Sequence, residues 1–311
     1  MKIWSLLPSA TEILFALELG DQVTGVTHEC DFPAEAETKP RVTISHIDSS
    51  LSSAEIDEQV THHFQEGRQL YGIDEERLRA DPPDVIVTQD LCPVCAVSPS
   101  DFAGHIAASG CSPRIVTLNP NTIEDVLASI TQVGEATGRE AEAKTLVASL
   151  RARLDAVRRA TAGRPKRHVL CIEWLNPPMP GGHWVPEMVA IAGGCGGPIE
   201  AGQPSWKVPW DEMRAEEAEV IVLMPCGFVT KRAAREGEAM WRLDGWCDLP
   251  AVRSGEVYCA DGSAHFSRPG PRLVDGTEIL ARILHPEAWP HPVAPGVVLK
   301  LAGDTRFKEW G

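Results

Sequence analysis

Apolar and polar positions alternate along this chain in short blocks whose period switches between that of a strand and that of a helix. Lys2 to Leu7 is a short apolar strand, and Pro8-Ser9-Ala10-Thr11-Glu12 then opens a helix. Ser9 is placed to cap that helix, with Glu12 three residues later as in a capping box. The helix stops near Gly20, and Val23 to Val26 predicts a second strand. Pro33 to Pro40 reads as irregular. Ser53 to Gly67 carries Ile56, Val60 and Phe64 at a helical spacing. Asp74 to Ala80 predicts a short helix ended by Pro82-Pro83. Asp84 to Thr88 and Ile115 to Leu118 read as strands.

Thr122 begins a longer helix with Ile123, Val126, Leu127, Ile130 and Val133 on one side, broken at Gly134 to Gly138. Glu140 to Ala162 then runs without a breaker, rich in Ala, Leu, Glu and Arg, which favour helix. At the rise of an α-helix it would span roughly 35 Å. It reads as a rigid strut, ended by Gly163 and Pro165. The strand-helix rhythm restarts beyond it: strands at His168 to Glu173, Val220 to Met224 and Val257 to Ala260, helices at Pro186 to Ala192, Trp210 to Ala215 and Pro271 to Leu284. Such alternation implies parallel sheets covered by helices. The predicted fold is therefore α/β: two Rossmann-like lobes with mostly parallel sheets, joined by one long rigid helix. The expected division is 1–121 for the first lobe, 122–163 for the connecting helices, 164–285 for the second lobe and 286–311 for a proline-rich tail wrapped over the surface.

Composition narrows the function. The chain has 311 residues, enough for two hydrophobic cores, and 43% apolar content, ordinary for a globular protein. Its formal charge of -15 repels a phosphate backbone, so nucleic acid is not an expected partner. No run approaches the length of a membrane span. Trp4 to Leu17 is not a signal peptide, because Glu12 interrupts it and no small-residue cleavage site follows. The expected compartment is the cytoplasm as written, with reduced thiols for its nine cysteines, or the periplasm or cell surface if a leader precedes this sequence.

The unusual side chains gather where strands should end. These loops are Thr27-His28-Glu29-Cys30, Asp90 to Cys95, Trp174 to Trp184, Pro225-Cys226-Gly227 and Asp261 to Arg272. Ligands of α/β proteins bind beyond the carboxyl ends of strands, so a ligand held between two lobes is expected. Cys92-Pro93-Val94-Cys95 is open to three readings: a redox pair, half of a soft-metal site completed by His28, Cys30, His183 or His265, or a ligand-facing turn. Trp174 to Trp184 is too proline-rich for a helix or a central strand. Its two indoles either cover the lobe's core or wall a broad, flat ligand, with Trp206 and Trp210 extending the wall. His265 and Phe266 lead into the last large helix. There Arg268 either holds the ligand's rim or pairs internally, while Ser9 offers a matching helix start from the first lobe. No nucleophile elbow, phosphate loop or zinc-protease motif is present.

The segments SLLPSATEILFALELGDQVTGVTHECDFP, PPDVIVTQ, the long helix, Glu173-Trp174-Leu175-Asn176-Pro177-Pro178 and HFSRPGPRLVDG together resemble the substrate-binding proteins of cobalamin and iron-siderophore ABC importers, over about residues 1 to 285. The resemblance implies a helical-backbone, two-lobed receptor that needs no cofactor, holds a small molecule in its cleft and docks on a membrane permease. By similarity to the cobalamin-binding members, the turn from His28 to Phe32, the loop after Trp174, Trp210 and the turn at Phe266 would line the cleft. Glu76 stands where such proteins carry a permease-docking glutamate, with Glu216 as its counterpart in the second lobe. The missing leader and the Cys92–Cys95 element depart from the family pattern. The expected function is thus non-enzymatic binding of cobalamin or a related corrinoid, by an importer component or a cytoplasmic carrier, with His28 or a cysteine thiolate open as an axial ligand to cobalt. Two alternatives remain: a metal- or thiol-dependent enzyme, with zinc or iron at His28, Cys92 and Cys95; and a protein for haem, a siderophore or a metal ion.

Overall fold

A computed structural model describes residues 1–90, 99–303 and 306–310. The chain divides into two compact units. The first comprises Met1–Leu51, Glu55–Pro120 and Glu124–Ser149; the second comprises Ser52–Ala54, Asn121–Ile123 and Leu150–Gly311.

The first unit contains β1 (Ile3–Ser5), α1 (Pro8–Ala16), β2 (Val23–Val26), β3 (Thr43–Ser45), α2 (Ser53–Gln65), β4 (Tyr71–Ile73), α3 (Glu75–Ala80), β5 (Val85–Thr88), α4 (Pro99–Ser109), β6 (Arg114–Thr117) and α5 (Ile123–Thr137). Its main sheet has the order β2-β1-β5-β6 and is parallel throughout. Every residue of β1 and β5 is buried, as expected for strands covered on both faces. Trp4 and Leu6 join Val42, Ile73, Leu78, Ile86 and Phe102 in one core cluster. Gly25 is required beside Trp4, since a Cβ there would lie 2.8 Å from the indole and 2.6 Å from Val42. The chain leaves β1 toward β2 on one side and β5 on the other, which makes the carboxyl end of β1 a topological switch point.

Helix α6 (Glu140–Thr161) is the unbroken strut of the sequence, and the division between the units falls within it. The second unit adds β7 (Arg167–Leu175), β8 (Pro178–Pro180), α7 (Val185–Ile191), β9 (Gly194–Cys195), α8 (Trp210–Ala215), β10 (Val220–Leu223), α9 (Thr230–Gly237), α10 (Pro250–Ser254), β11 (Val257–Ala260), α11 (Gly262–His265), α12 (Leu273–Leu284), β12 (Val298–Ala302) and β13 (Arg306–Glu309). Its sheet order is β13-β12-β11-β10-β7-β8, with β9 also on β7. The central β7, β10 and β11 are parallel; β8, β12 and β13 are antiparallel additions.

Three local differences from the sequence reading have physical causes. Ser9 does not cap α1: Leu7 is the N-cap and Pro8 opens the helix, so Ser9 falls inside the first turn with a buried hydroxyl and, among the described residues, no hydrogen-bond partner. Helix α12 starts at Leu273 rather than Pro271, because Leu273 and Val274 N–H bond Gly270 O and Pro271 O in a tighter turn; before it, Asp261 caps a separate short helix, α11, through Ala264 N–H at 2.7 Å. Beyond the prolines, the tail returns as β12 and β13, whose Val298 and Leu301 are buried.

Candidate functional site

In the first unit the site grows from the carboxyl ends of β1 and β2. Thr27 N–H donates to Ser5 O at 3.0 Å, fixing the turn after β2. Residues 40–43 run alongside β2: Val26 N–H bonds Pro40 O, Val42 N–H bonds Val26 O, and Arg41 bridges Val26. This delivers Thr43 onto His28. The Thr43 hydroxyl accepts the His28 backbone N–H at 3.0 Å and lies 2.8 Å from Nδ1 of its ring. Arg41 donates to the carbonyls of Thr27 and Cys30 at 2.9 and 2.7 Å, bracing the turn from inside. The His28 ring lies 5.5 Å from that of Tyr71 on β4. Its side chain is 24% exposed. Burial lowers its pKa, Glu29 raises it, and Arg41 lowers it again; the net direction is down.

The other predicted residues of this unit have different settings. Cys30 is buried, with Sγ 2.9 Å from the Thr11 hydroxyl, which itself donates to Ser5. Ser9 is buried as well. Glu29 is half-buried and Phe32 is exposed. Glu76 is exposed on α3. The Cys92–Cys95 pair lies outside the described residues. Among the described residues, no group of three or more His, Cys, Asp or Glu is arranged to hold a metal, and no disulfide forms.

In the second unit, the ends of β7, β10 and β11 meet through backbone contacts. Cys226 N–H donates to Glu173 O at 2.9 Å, and Ser263 N–H to Phe228 O at 3.4 Å. Trp174 is half-buried and tilts against Phe228, ring centres 5.5 Å apart. Arg232 covers Phe228 at 3.7 Å from its centre and pairs with Glu236 at 3.2 Å. The Gly181-Gly182-His183 turn is pinned to residues 202–205: Gly182 N–H bonds the Ser205 hydroxyl, and Gly202 N–H bonds His183 O, both at 2.9 Å. A side chain at Gly182 would meet that backbone at 2.7 Å. His183 itself has φ 51, a left-handed conformation uncommon for a side-chain-bearing residue. Its ring lies 5.4 Å from Trp184.

Trp184 and Phe266 are both interior, and the Trp184 indole N–H donates to Phe266 O at 2.7 Å. Of the two meanings open to the indoles, Trp184 takes the core-covering one, while Trp174 keeps a partly open face. Arg268 is buried, and Cys226 and His265 are half-buried. Burial lowers the pKa of His183, and also that of His265 against the opposing charges of Asp261 and Asp275. Trp210 stands beside Trp246, ring centres 5.9 Å apart, with its N–H on Asp244 O at 2.8 Å. Glu216 accepts the Gly197 N–H at 3.2 Å. Burial pushes the Cys171 thiol up to about 12, so it stays a protonated core group.

Sequence reasoning did not single out Thr43, Tyr71, Arg41 or Phe228. The alternation Val42-Thr43-Ile44-Ser45 was the available signal for the strand that carries Thr43.

Comparison with known proteins bears on this arrangement as a whole. An uncharacterized ABC transporter substrate-binding lipoprotein of Bacillus subtilis is 26% identical over 295 residues, 93% of this chain and 81% of that protein. The vitamin B12-binding protein of Vibrio cholerae is 23% identical over 280 residues, 89% of this chain and 86% of its own. A periplasmic heme binding protein from Pseudomonas aeruginosa has the same fold, with a TM-score of 0.71 and 18% identity over 98% of both chains. The family model described as periplasmic binding protein matches residues 3–264, from the first strand of unit one to the last short helix at the strand ends of unit two. With that span covered, this chain belongs to the periplasmic binding protein family.

Proposed function

We propose that the protein binds a corrinoid of the cobalamin class, without covalent chemistry, as the substrate-binding component of an ABC-type importer. The observation that carries this reading is the chemistry of the strand ends. Those of the first unit present neutral hydroxyls and an imidazole, with Arg41 engaged by backbone carbonyls; those of the second present imidazoles and a half-open indole, with Arg232 engaged by Glu236. A corrinoid has a broad apolar body and a rim of uncharged amides, which suits such a lining. The ordinary thiol chemistry of an enzyme has no support from Cys171 or Cys259, both held protonated by burial. The likeness to a vitamin B12-binding protein and to an ABC transporter lipoprotein supports the ligand and the permease partner. No helix among the described residues is long and apolar enough to cross a membrane.

Calorimetric titration with cyanocobalamin, dicyanocobinamide and haemin tests the ligand. Corrinoid affinity in the micromolar range or tighter is expected, with haemin at least tenfold weaker; the reverse order would replace the reading. Docking is tested separately. Glu76→Arg should abolish uptake in a reconstituted importer while leaving binding intact.

Haem is the second reading. Its specific support is the half-buried Tyr71 beside the His28 ring, since a tyrosine oxygen is among the side-chain ligands that hold haem iron.

A further inference from the structure

We propose that His28 determines specificity as a fixed hydrogen-bond donor, offering Nε2–H to an acceptor oxygen of the ligand, and that Thr43 is the positioning residue that sets this proton arrangement. The ligand's identity rests on the corrinoid reading above; the state of the ring does not.

A hydroxyl has one hydrogen and two acceptor lone pairs. Thr43 Oγ1 already accepts the backbone N–H of His28 at 3.0 Å, and lies 2.8 Å from Nδ1. Thr27 Oγ1 already accepts the backbone N–H of Glu29 at 3.3 Å, and lies 3.4 Å from the same Nδ1. Each hydroxyl therefore has a lone pair committed and a hydrogen to place. Nδ1 can offer one lone pair, and Thr43, at 2.8 Å against 3.4 Å, is its partner, while Thr27 is the longer contact in either proton arrangement. Among the described residues, Thr43 has no other acceptor within hydrogen-bond reach, so its hydrogen goes to Nδ1. A ring protonated at Nδ1 would instead give Thr43 two incoming hydrogens and leave its own, 94% buried with the residue, aimed at no acceptor. Nδ1 is thus the acceptor, and in the neutral ring Nε2 carries the hydrogen.

The outward side of the ring is where that hydrogen lies. Glu29 is the carboxylate beside Nε2, at 3.6 Å, beyond a good hydrogen bond. Arg41 holds the turn still through the Thr27 and Cys30 carbonyls. The result is a preorganised donor with spare capacity. It fits a carboxamide carbonyl or a carboxylate. A metal ion would need the Nε2 lone pair, which requires the Thr43 hydroxyl to reverse and lose its acceptor. The same geometry favours the amide rim of a corrinoid over the iron of haem.

Nitrogen-15 NMR of histidine-labelled protein reads the ring directly. In the ligand-free protein Nδ1 should be unprotonated and Nε2 protonated, and Thr43→Val should weaken that preference. In titrations with dicyanocobinamide and cyanocobalamin, His28→Ala should lose about fivefold to tenfold in affinity, the worth of one neutral hydrogen bond. His28→Gln, whose amide N–H reaches the place of Nε2–H, should stay within about twofold of the parent. The visible spectrum of aquocobinamide should be the same when bound to all three proteins. Protonated Nδ1, equal affinity of parent and His28→Ala, or a spectral change on binding lost in both variants would each overturn the donor assignment. Failure of the parent protein to bind any corrinoid would instead overturn the functional reading, with the NMR result still deciding the ring.

Discussion

The two units finish their sheets in opposite ways. In the first, hydrogen bonds fix the chemistry: two threonine hydroxyls meet a single imidazole by directed contacts, and the half-buried Arg41 guanidinium braces the turn that carries it. In the second, close backbone approach and ring packing do so: glycines let turns and helices touch, and Trp174, Phe228 and Arg232 lean on one another. The difference teaches which forces each region can lose. A directed hydrogen bond can be deleted with little loss of fold, whereas a contact that only a glycine permits cannot be filled without moving the elements that meet there.

The largest effect should come from Gly276→Leu. A side chain there would collide with the His265 carbonyl and meet Met188 at 2.8 Å, so α12 must shift away from α11 and α7. A loss of about 3 kcal/mol or more is expected in urea denaturation; a loss under about 1 kcal/mol would show that second-unit packing is looser than this comparison holds. Next is Trp174→Ala, expected to weaken corrinoid binding about tenfold to thirtyfold. Trp210→Ala, whose ring already leans on Trp246, should change it less, by about threefold.

Acidification should act on both units with unequal weight. His28, His183 and His265 all have folded-state pKa values below the ordinary 6.5, burial being the leading cause. As pH falls through about 6.5 the unfolded chain takes up protons that the folded chain resists. Stability is therefore highest above that value and declines below it, read as a falling thermal midpoint. Replacing His183 and His265 by Gln should flatten the decline more than replacing His28. The smallest effect expected is from Arg153→Ala. Its guanidinium bonds both Glu278 oxygens at 2.9 and 2.7 Å, but the side chains are 37% and 26% exposed. Solvent screening leaves about 1 kcal/mol of stability and no change in ligand affinity.

Much of the architecture was legible because its central strands are short apolar runs buried on both faces. Val85–Thr88, Val220–Leu223 and Val257–Ala260 leave little room for another interpretation. The strut was legible from length and composition. What escaped was small or returned from far away. Helix α11 has four residues and depends on the Asp261 cap; β12 and β13 follow a proline-rich stretch that hides their alternation. At the site, His28 stood out as an imidazole after a strand, but Thr43 and Tyr71 reach it only through tertiary pairing. Likewise, no pattern in the chain distinguishes Trp184, whose N–H finds the Phe266 carbonyl indoors, from Trp174, which keeps an open face.

The ribbon made by β3 and β4 stands apart from the parallel ladder β2-β1-β5-β6, forming a two-stranded sheet of its own. Ile73 anchors it in the Trp4 cluster, while Thr43 and Tyr71 look after the imidazole. Core anchor and imidazole contacts therefore share one short ribbon. A change at residue 43 would release the ring while Ile73 keeps the ribbon seated on the core.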